Sequence, residues 1–161
     1  MISRIGVVIV ILFAFYSCSK DKIDGSVQTN ADLANALRLS PVAIQIDSDS
    51  LFLTTSLWRN FMPETEKNGS GLYCSNKLAH KDSIPIPPEL KLKNLYVING
   101  NQIWTSQDPQ ISKEEPSSIR IFINSGPKWG PDVFVDVVCE FEINKKTYRI
   151  IAKQQEIDAV Y

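Results

Sequence analysis

Apolar and polar residues alternate along most of the chain after Pro41, and this period of two residues predicts β-strands with one buried face. The clearest example is the segment 132–143. The face of this segment that is predicted to be core consists of Val133, Val135, Val137, Cys139, Phe141 and Ile143. The opposite face is predicted to be solvated, and it carries Asp132, Asp136, Glu140 and Glu142. A strand of this regularity is expected to run through the centre of a sheet.

Shorter alternating segments predict the other strands. They lie at 42–46, 51–57, 72–78, 119–123 and 147–152. A hairpin is predicted to join 95–98 to 102–105 through the tight turn Asn99-Gly100-Asn101. Seven or eight short strands predict an all-β fold. The expected architecture is an antiparallel two-sheet sandwich of immunoglobulin-like arrangement, and a small open β-barrel is the alternative.

One short helix is predicted before the strands. The segment 31–39 has apolar residues at helical spacing, with Thr29 or Asn30 as its N-cap and Pro41 just beyond its end. The helical turn and the strands are expected to form one domain, 31–161, because a chain of 161 residues suits a single core.

The N-terminus has the layout of a secretory signal. Arg4 supplies one positive charge, an apolar run follows at 5–16, and Cys18 comes directly after a small residue. A membrane-spanning helix needs about 20 apolar residues, so this run predicts a cleaved signal peptide, residues 1–17. Residues 18–30 are polar after the cysteine and are predicted to form a flexible tether.

The residues Phe15-Tyr16-Ser17-Cys18 resemble the lipobox of bacterial lipoproteins, and loose boxes of this kind are similar to those of Bacteroidetes. Phe15 and Tyr16 depart from the commonest pattern, which has Leu and a small residue there. The resemblance implies that Cys18 carries diacylglycerol and a further acyl chain such as palmitate. It also implies attachment to the outer membrane, facing the periplasm or the cell surface. An ordinary signal peptide with an incidental cysteine is the alternative.

The balance of charge argues against nucleic acid as a partner. The chain has 17 basic and 18 acidic side chains and a formal net charge of −1, so no basic face is available to bind phosphates. The same balance argues against electrostatic docking on anionic lipid. Membrane attachment is therefore expected through the lipid on Cys18 alone.

No catalytic residue, metal ligand or cofactor is predicted. His80 is the only histidine, and its polar surroundings predict a solvated surface position. Neither a Gly-x-Ser-x-Gly motif nor a phosphate-binding loop occurs, and the usual zinc sites need more His and Cys than the chain offers. A hydrolytic enzyme is therefore a remote alternative.

Two cysteines remain after Cys18. Cys74 and Cys139 fall on apolar strand faces, and an exported compartment permits disulfides. A bridge between them would add about 4 kcal/mol in the loop-entropy model. Two buried free thiols that act as small apolar fillers are the alternative.

The three tryptophans are the main candidates for ligand contact. Trp58 is out of phase with the apolar face of its strand and is predicted to point away from that face. Trp104 ends a hairpin, and Trp129 lies in a Gly–Pro loop. Indole rings in such places bind sugars or proteins, or they plug the ends of the fold. The full candidate binding set is Trp58, Arg59, Trp104, Lys128 and Trp129.

Three segments carry a second resemblance. They are Leu57-Trp58-Arg59-Asn60-Phe61-Met62-Pro63, Val97-Ile98-Asn99-Gly100 with Trp104, and Gly126-Pro127-Lys128-Trp129-Gly130-Pro131. Together they resemble a group of small bacterial secreted domains of unassigned function, over residues 51–157. The resemblance implies the extent of the domain and no activity or functional residue.

The sequence as a whole predicts a lipid-anchored, non-enzymatic binding or interaction module of the cell envelope. Its expected partner is an unknown protein or carbohydrate. The alternative is a structural or accessory envelope lipoprotein without a ligand. The two hypotheses differ in whether the five candidate side chains cluster on one exposed surface.

Overall fold

The computed structural model describes residues 25–46, 49–63, 68–82 and 84–161. The predicted signal peptide, the predicted lipidation site Cys18 and the first part of the predicted tether lie outside the described residues. The helix α1 spans Ala31–Arg38. The strands are β1 (Ser26–Thr29), β2 (Ala43–Ile46), β3 (Asp49–Asn60), β4 (Tyr73–His80), β5 (Lys91–Asn99), β6 (Gln102–Thr105), β7 (Gln110–Glu115), β8 (Ser118–Ile123), β9 (Phe134–Ile143) and β10 (Lys146–Val160). The all-β class is confirmed, with more strands in the described part than the seven or eight predicted.

The strands form one curled, open sheet that makes a half-barrel. Their order is β1-β6-β5-β9-β10-β3-β4-β8-β7, and β2 also pairs with β3. Among the described ladders, only the one between β10 and β3 is parallel, and it joins Ile157–Val160 to Leu57–Asn60. Strand β10 therefore links two arms of the sheet. Arm A contains β1, β6, β5, β9 and the first half of β10, and arm B contains the second half of β10 with β3, β2, β4, β8 and β7.

The main core lies between the inner faces of the two arms. Strand β9 contributes Val135, Val137, Cys139, Phe141 and Ile143, which are all buried as the alternation predicts. The same cluster includes residues of arm B, namely Leu51, Leu53, Leu57, Leu72, Cys74, Leu78, Ile119, Ile121 and Ile123. The predicted inward register of the central strand is therefore confirmed.

Helix α1 covers the outer face of arm A. The side-chain Oδ1 of Asn30 accepts a hydrogen bond from the backbone N–H of Leu33 at 3.0 Å, so the predicted N-cap is confirmed. The buried face of the helix consists of Ala34 and Leu37. It packs on a second apolar cluster formed by Ile98, Ile103, Val138 and Ile151. As a result, β9 is buried on both of its faces.

The prediction that the acidic face of β9 is solvated is wrong for Asp136 and Glu140, whereas Asp132 is exposed and Glu142 is partly exposed. Asp136 is 4% exposed and Glu140 is 8% exposed. Arg38 of α1 donates through Nε to Asp136 Oδ2 at 2.7 Å, and Arg149 of β10 donates through Nε to Glu140 Oε2 at 2.5 Å. Buried carboxylates need charged or hydrogen-bonding partners, and these arginines supply them. Because each arginine comes from a different element, the alternation within β9 could not reveal the pairs.

The predicted tether is shorter than expected. Ser26–Thr29 form β1 and pair with β6, and Asn30 caps the helix. All four residues of β1 are exposed, so backbone pairing places this strand at the edge of the sheet without help from an apolar face. Its sequence therefore lacked the alternation that identified the other strands.

Candidate functional site

The structure does not place the five candidate contact residues on one exposed surface. Trp104 is fully buried and Arg59 is 4% exposed. Trp58, Lys128 and Trp129 are partly exposed. Trp58 lies on β3, whereas Lys128 and Trp129 lie in the loop between β8 and β9, where Trp129 packs against the main core.

Trp104 is part of the core. Its ring lies against Gly126, where an added Cβ atom would come within 2.6 Å of the ring carbons. The absence of a side chain at Gly126 thus allows the loop to cross the indole closely. A contact role for Trp104 is wrong, and the ring instead plugs the fold.

Arg59 ties loops of arm B together instead of facing a ligand. Its Nε donates to the carbonyl oxygen of Ser70 at 2.9 Å, its Nη1 donates to that of Gly130 at 2.6 Å, and its Nη2 donates to that of Asn68. The guanidinium carbon lies 4.8 Å from the centre of the Phe61 ring. Burial lowers the pKa of Arg59 below its ordinary value. A binding role for this side chain is therefore wrong.

Trp58 belongs to a cluster of aromatic rings on the outer face of arm B. The ring centres of Trp58 and Tyr73 are 5.6 Å apart, and Phe122 lies 6.2 Å from each of them. The planes of Trp58 and Tyr73 differ by 14° and those of Tyr73 and Phe122 by 21°. All three side chains are partly exposed. These three residues are called the aromatic patch below.

The register of arm B explains why these rings meet. Trp58 is directly opposite Tyr73 on the neighbouring strand, and Phe122 is opposite Ser75 one strand further on. Trp58 points away from the buried Leu57 face, as predicted. Tyr73 alternates with buried residues of β4, and Phe122 alternates with Ile121 and Ile123 in β8. The same out-of-phase signal that identified Trp58 was therefore present for Tyr73 and Phe122.

Polar residues surround the aromatic patch on the same face. The register aligns these residues across four strands: Ser56, Ser75, Lys77, Gln110, Ser112 and Arg120. Lys77 is 3.9 Å from Glu115 at the edge of arm B. Helix α1 packs on the other arm, so this face has no helix over it in the described part of the chain. The arrangement offers partly exposed aromatic rings beside hydroxyl, amide and cationic groups.

Cys74 and Cys139 are free thiols, and both are fully buried in the main core. The disulfide is therefore not formed, and the alternative of two buried thiols is observed. Asn76 Nδ2 donates to Cys74 Sγ at 3.1 Å. Burial raises the pKa of Cys74 to about 11 and that of Cys139 to about 12. Both groups are protonated near neutral pH and are poor nucleophiles.

His80 is buried, so the prediction of a solvated position is wrong. The residue is 5% exposed at the end of β4, opposite Leu51 of β3. Its backbone N–H donates to the carbonyl oxygen of Ser117 at 3.2 Å. The polar neighbours of His80 in sequence gave no sign of this packing, because the covering residues come from other strands.

Residues 25–46, 49–63, 68–82 and 84–161 contain no group of three or more His, Cys, Asp and Glu side chains that could hold a metal ion. Over the same residues, no helix is long and apolar enough to cross a membrane. Comparison with protein-family models, curated proteins and solved structures found no match.

Proposed function

We propose that this protein is a non-enzymatic binding module attached to the bacterial cell envelope by a lipid, and that the aromatic patch binds a glycan. The observation that supports the proposal is the group of three contacting aromatic rings on a sheet face that no helix of the described residues covers. Aromatic rings have an electron-rich face that attracts the C–H groups on the apolar side of a sugar ring. A flat face with several such rings suits a chain of sugar units.

The polar groups around the patch support a glycan over a highly charged ligand. Ser56, Ser75 and Gln110 offer donors and acceptors that match sugar hydroxyl groups. Of the two cations named on this face, Lys77 lies 3.9 Å from the carboxylate of Glu115 on the same arm. A mixed-charge face of this kind favours a ligand of low charge.

The lipid anchor is supported by the signal-like N-terminus and the lipobox-like Ser17-Cys18. Because β1 begins at Ser26, a chain of eight residues, 18–25, would join the lipid to the sheet. At about 3.3–3.6 Å per residue, the domain would lie within roughly 30 Å of the membrane surface. We further propose the outer membrane as the location, and an immunoglobulin-like sandwich as the description of the two packed arms.

Replacing Cys18 with Ala should abolish attachment to the membrane. In cells labelled with radioactive palmitate, the wild-type chain should carry label and Cys18→Ala should carry none, because the cysteine thiol and the new N-terminus are the acylated groups. Ser19→Ala is the matched control and should retain the label. Equal labelling of Cys18→Ala and the wild type would contradict the anchor.

Trp58→Ala should weaken glycan binding at least tenfold, because removal of a stacked aromatic ring from a binding surface typically has an effect of this size. The probes are soluble glucan, mannan and peptidoglycan fragments, and the measurement is a titration by tryptophan fluorescence and affinity electrophoresis. The control is Phe134→Ala, which removes a ring that is 54% exposed on the other arm. If Trp58→Ala and Phe134→Ala bind the glycans equally strongly, the aromatic patch is not the binding site.

The competing function is an accessory lipoprotein without a ligand. The burial of Trp104 and Arg59 favours it, because two of the five candidate residues serve the fold. The same titration separates the hypotheses, since an accessory protein would bind none of the three glycans. Shortening of the polysaccharide probes during incubation would instead indicate the hydrolytic enzyme.

A further inference from the structure

A slit separates β2 from the first half of β10. Strand β2 pairs with β3 alone, and β10 pairs with β9 on one side over this stretch. The other side of β10 begins its pairing with β3 only at Ile157. One end of the slit is closed just before β2 begins, where the N–H of Ile151 donates to the carbonyl oxygen of Pro41 at 3.0 Å.

The edge of β10 that faces the slit has unused hydrogen-bonding groups. In an antiparallel strand, backbone groups of alternate residues point to opposite neighbours. Since Ile151 points toward β2, Thr147 and Arg149 also direct their N–H and C=O groups into the slit. Within the described part of the chain, no backbone partner binds these groups. An unpaired strand edge of this kind is a template for another strand.

Open space lies directly beside these groups. A cavity of about 510 Å³ is lined by Pro41, Ile44, Thr147, Tyr148 and Arg149. A second cavity, of about 360 Å³, continues from the other side of the Tyr148 ring toward Ile46 and Ile143. The Tyr148 ring is fixed by stacking on Phe141, with the ring centres 5.7 Å apart. The slit therefore has a firm apolar wall and enough volume for a few extended residues.

The mouth of the slit carries two lysines, together with the exposed Glu89 that lines the second cavity. Lys145 and Lys146 are exposed at the β9–β10 turn. The Nζ atom of Lys146 lies 5.0 Å from the centre of the Tyr148 ring. Neither lysine forms an ion pair with the described residues. An acidic residue at one end of a bound segment would complement this charge.

We propose that the slit binds an extended segment of a partner protein, which adds as a strand to the free edge of β10. Its backbone would pair with the N–H and C=O groups of Thr147 and Arg149, as in other cases of strand addition. An apolar side chain would pack between Ile44 and Tyr148, and an acidic residue would face Lys145 and Lys146. The site is separate from the aromatic patch and does not depend on glycan binding.

The test uses the mature protein and a seven-residue peptide of alternating valine and threonine with an aspartate at each end. Hydrogen exchange followed by NMR should show rapid exchange at the Thr147 and Arg149 amides in the free protein. The peptide should slow both at least tenfold. A peptide with N-methyl groups on its β10-facing amides is the matched control, and it should not bind because those donors are lost.

A pair of protein variants isolates the backbone contribution. Thr147→Pro removes an N–H that faces the slit and leaves the ladder to β9 intact, because an edge strand tolerates proline where no ladder bond is made. It should weaken peptide binding at least tenfold. Thr147→Val keeps the N–H and should bind as the wild type does. Fluorescence and circular dichroism check that both variants are folded.

Several results would overturn the proposal. Protection of the Thr147 amide in the free protein would mean that the slit is already closed. Failure of the peptide to bind at millimolar concentration, or equal binding by the N-methylated peptide, would exclude strand addition. A dimer that forms without peptide and is lost in Thr147→Pro would assign the edge to a second copy of this chain.

Discussion

Phe141→Ala should lower the free energy of unfolding by about 3–5 kcal/mol, the usual cost of removing a buried phenylalanine ring. The ring is fully buried in the main core and stacks on Tyr148 at 5.7 Å between ring centres. It lies on β9, which is covered by the core on one face and by α1 on the other. Urea denaturation of the domain, residues 25–161, measures the change.

Phe134 provides the control on the same strand. It is the first residue of β9 and is 54% exposed, so Phe134→Ala should change the stability by no more than about 0.5 kcal/mol. The two substitutions remove the same ring and differ in burial. If Phe134→Ala is destabilised more than Phe141→Ala, the assigned faces of β9 are inverted and Cys139 does not lie in the core.

Arg59→Met should also destabilise the protein by about 3–5 kcal/mol. The guanidinium donates to the carbonyl oxygens of Asn68, Ser70, Lys128 and Gly130. An acceptor left without a donor costs about 1–3 kcal/mol where it is buried, and three of these four residues, Ser70, Lys128 and Gly130, are partly buried. Methionine removes the free-energy cost of burying the guanidinium charge. This gain does not offset the loss of several hydrogen bonds to carbonyl oxygens, although some of these oxygens will bind water instead. The unfolding midpoint in urea should therefore fall strongly.

Two further variants identify the cause of the Arg59 effect. Arg59→Lys keeps the charge and loses the planar fork, so its ammonium can reach only some of the carbonyls and should rescue part of the stability. Arg120→Ala removes an exposed arginine from the same arm and should stay within about 0.5 kcal/mol of the wild type. Equal stabilities for Arg59→Met and Arg120→Ala would show that the hydrogen bonds from Arg59 to the carbonyl oxygens do not contribute to the free energy of unfolding.

The alternation in the sequence was sufficient to place the core face of β9 and the hairpin at Gly100, where φ is +56°. It could not show what covers the other face of β9. Asp136 and Glu140 are polar in sequence, and their burial depends on Arg38 and Arg149, which are brought to them by the tertiary fold. Polar residues also begin the second half of β10. Its pairing with β3 could not be predicted from them, because this pairing too is made by the tertiary fold.

The sequence predicted the candidate site only in part. The phase of Trp58 within its strand predicted its outward direction, and the same test identifies Tyr73 and Phe122 once the strands are assigned. Trp104 and Arg59 could not be placed, because their burial depends on the loops at Gly126 and at 68–70. The slit beside Thr147 could not be predicted from the sequence. A strand edge is unpaired when the fold places no neighbouring strand beside it, and the sequence of the strand does not show this.

Strand β10 also bears on the order in which the domain folds. It is the last strand of the described chain, and it pairs with β9 in one arm and with β3 in the other. The pairing with β3 joins residues about 100 positions apart, and such long-range contacts slow folding because a large loop must close first. Until β10 is in place, each arm exposes an unpaired edge and an apolar face. We therefore expect folding intermediates that lack β10 to be prone to aggregation.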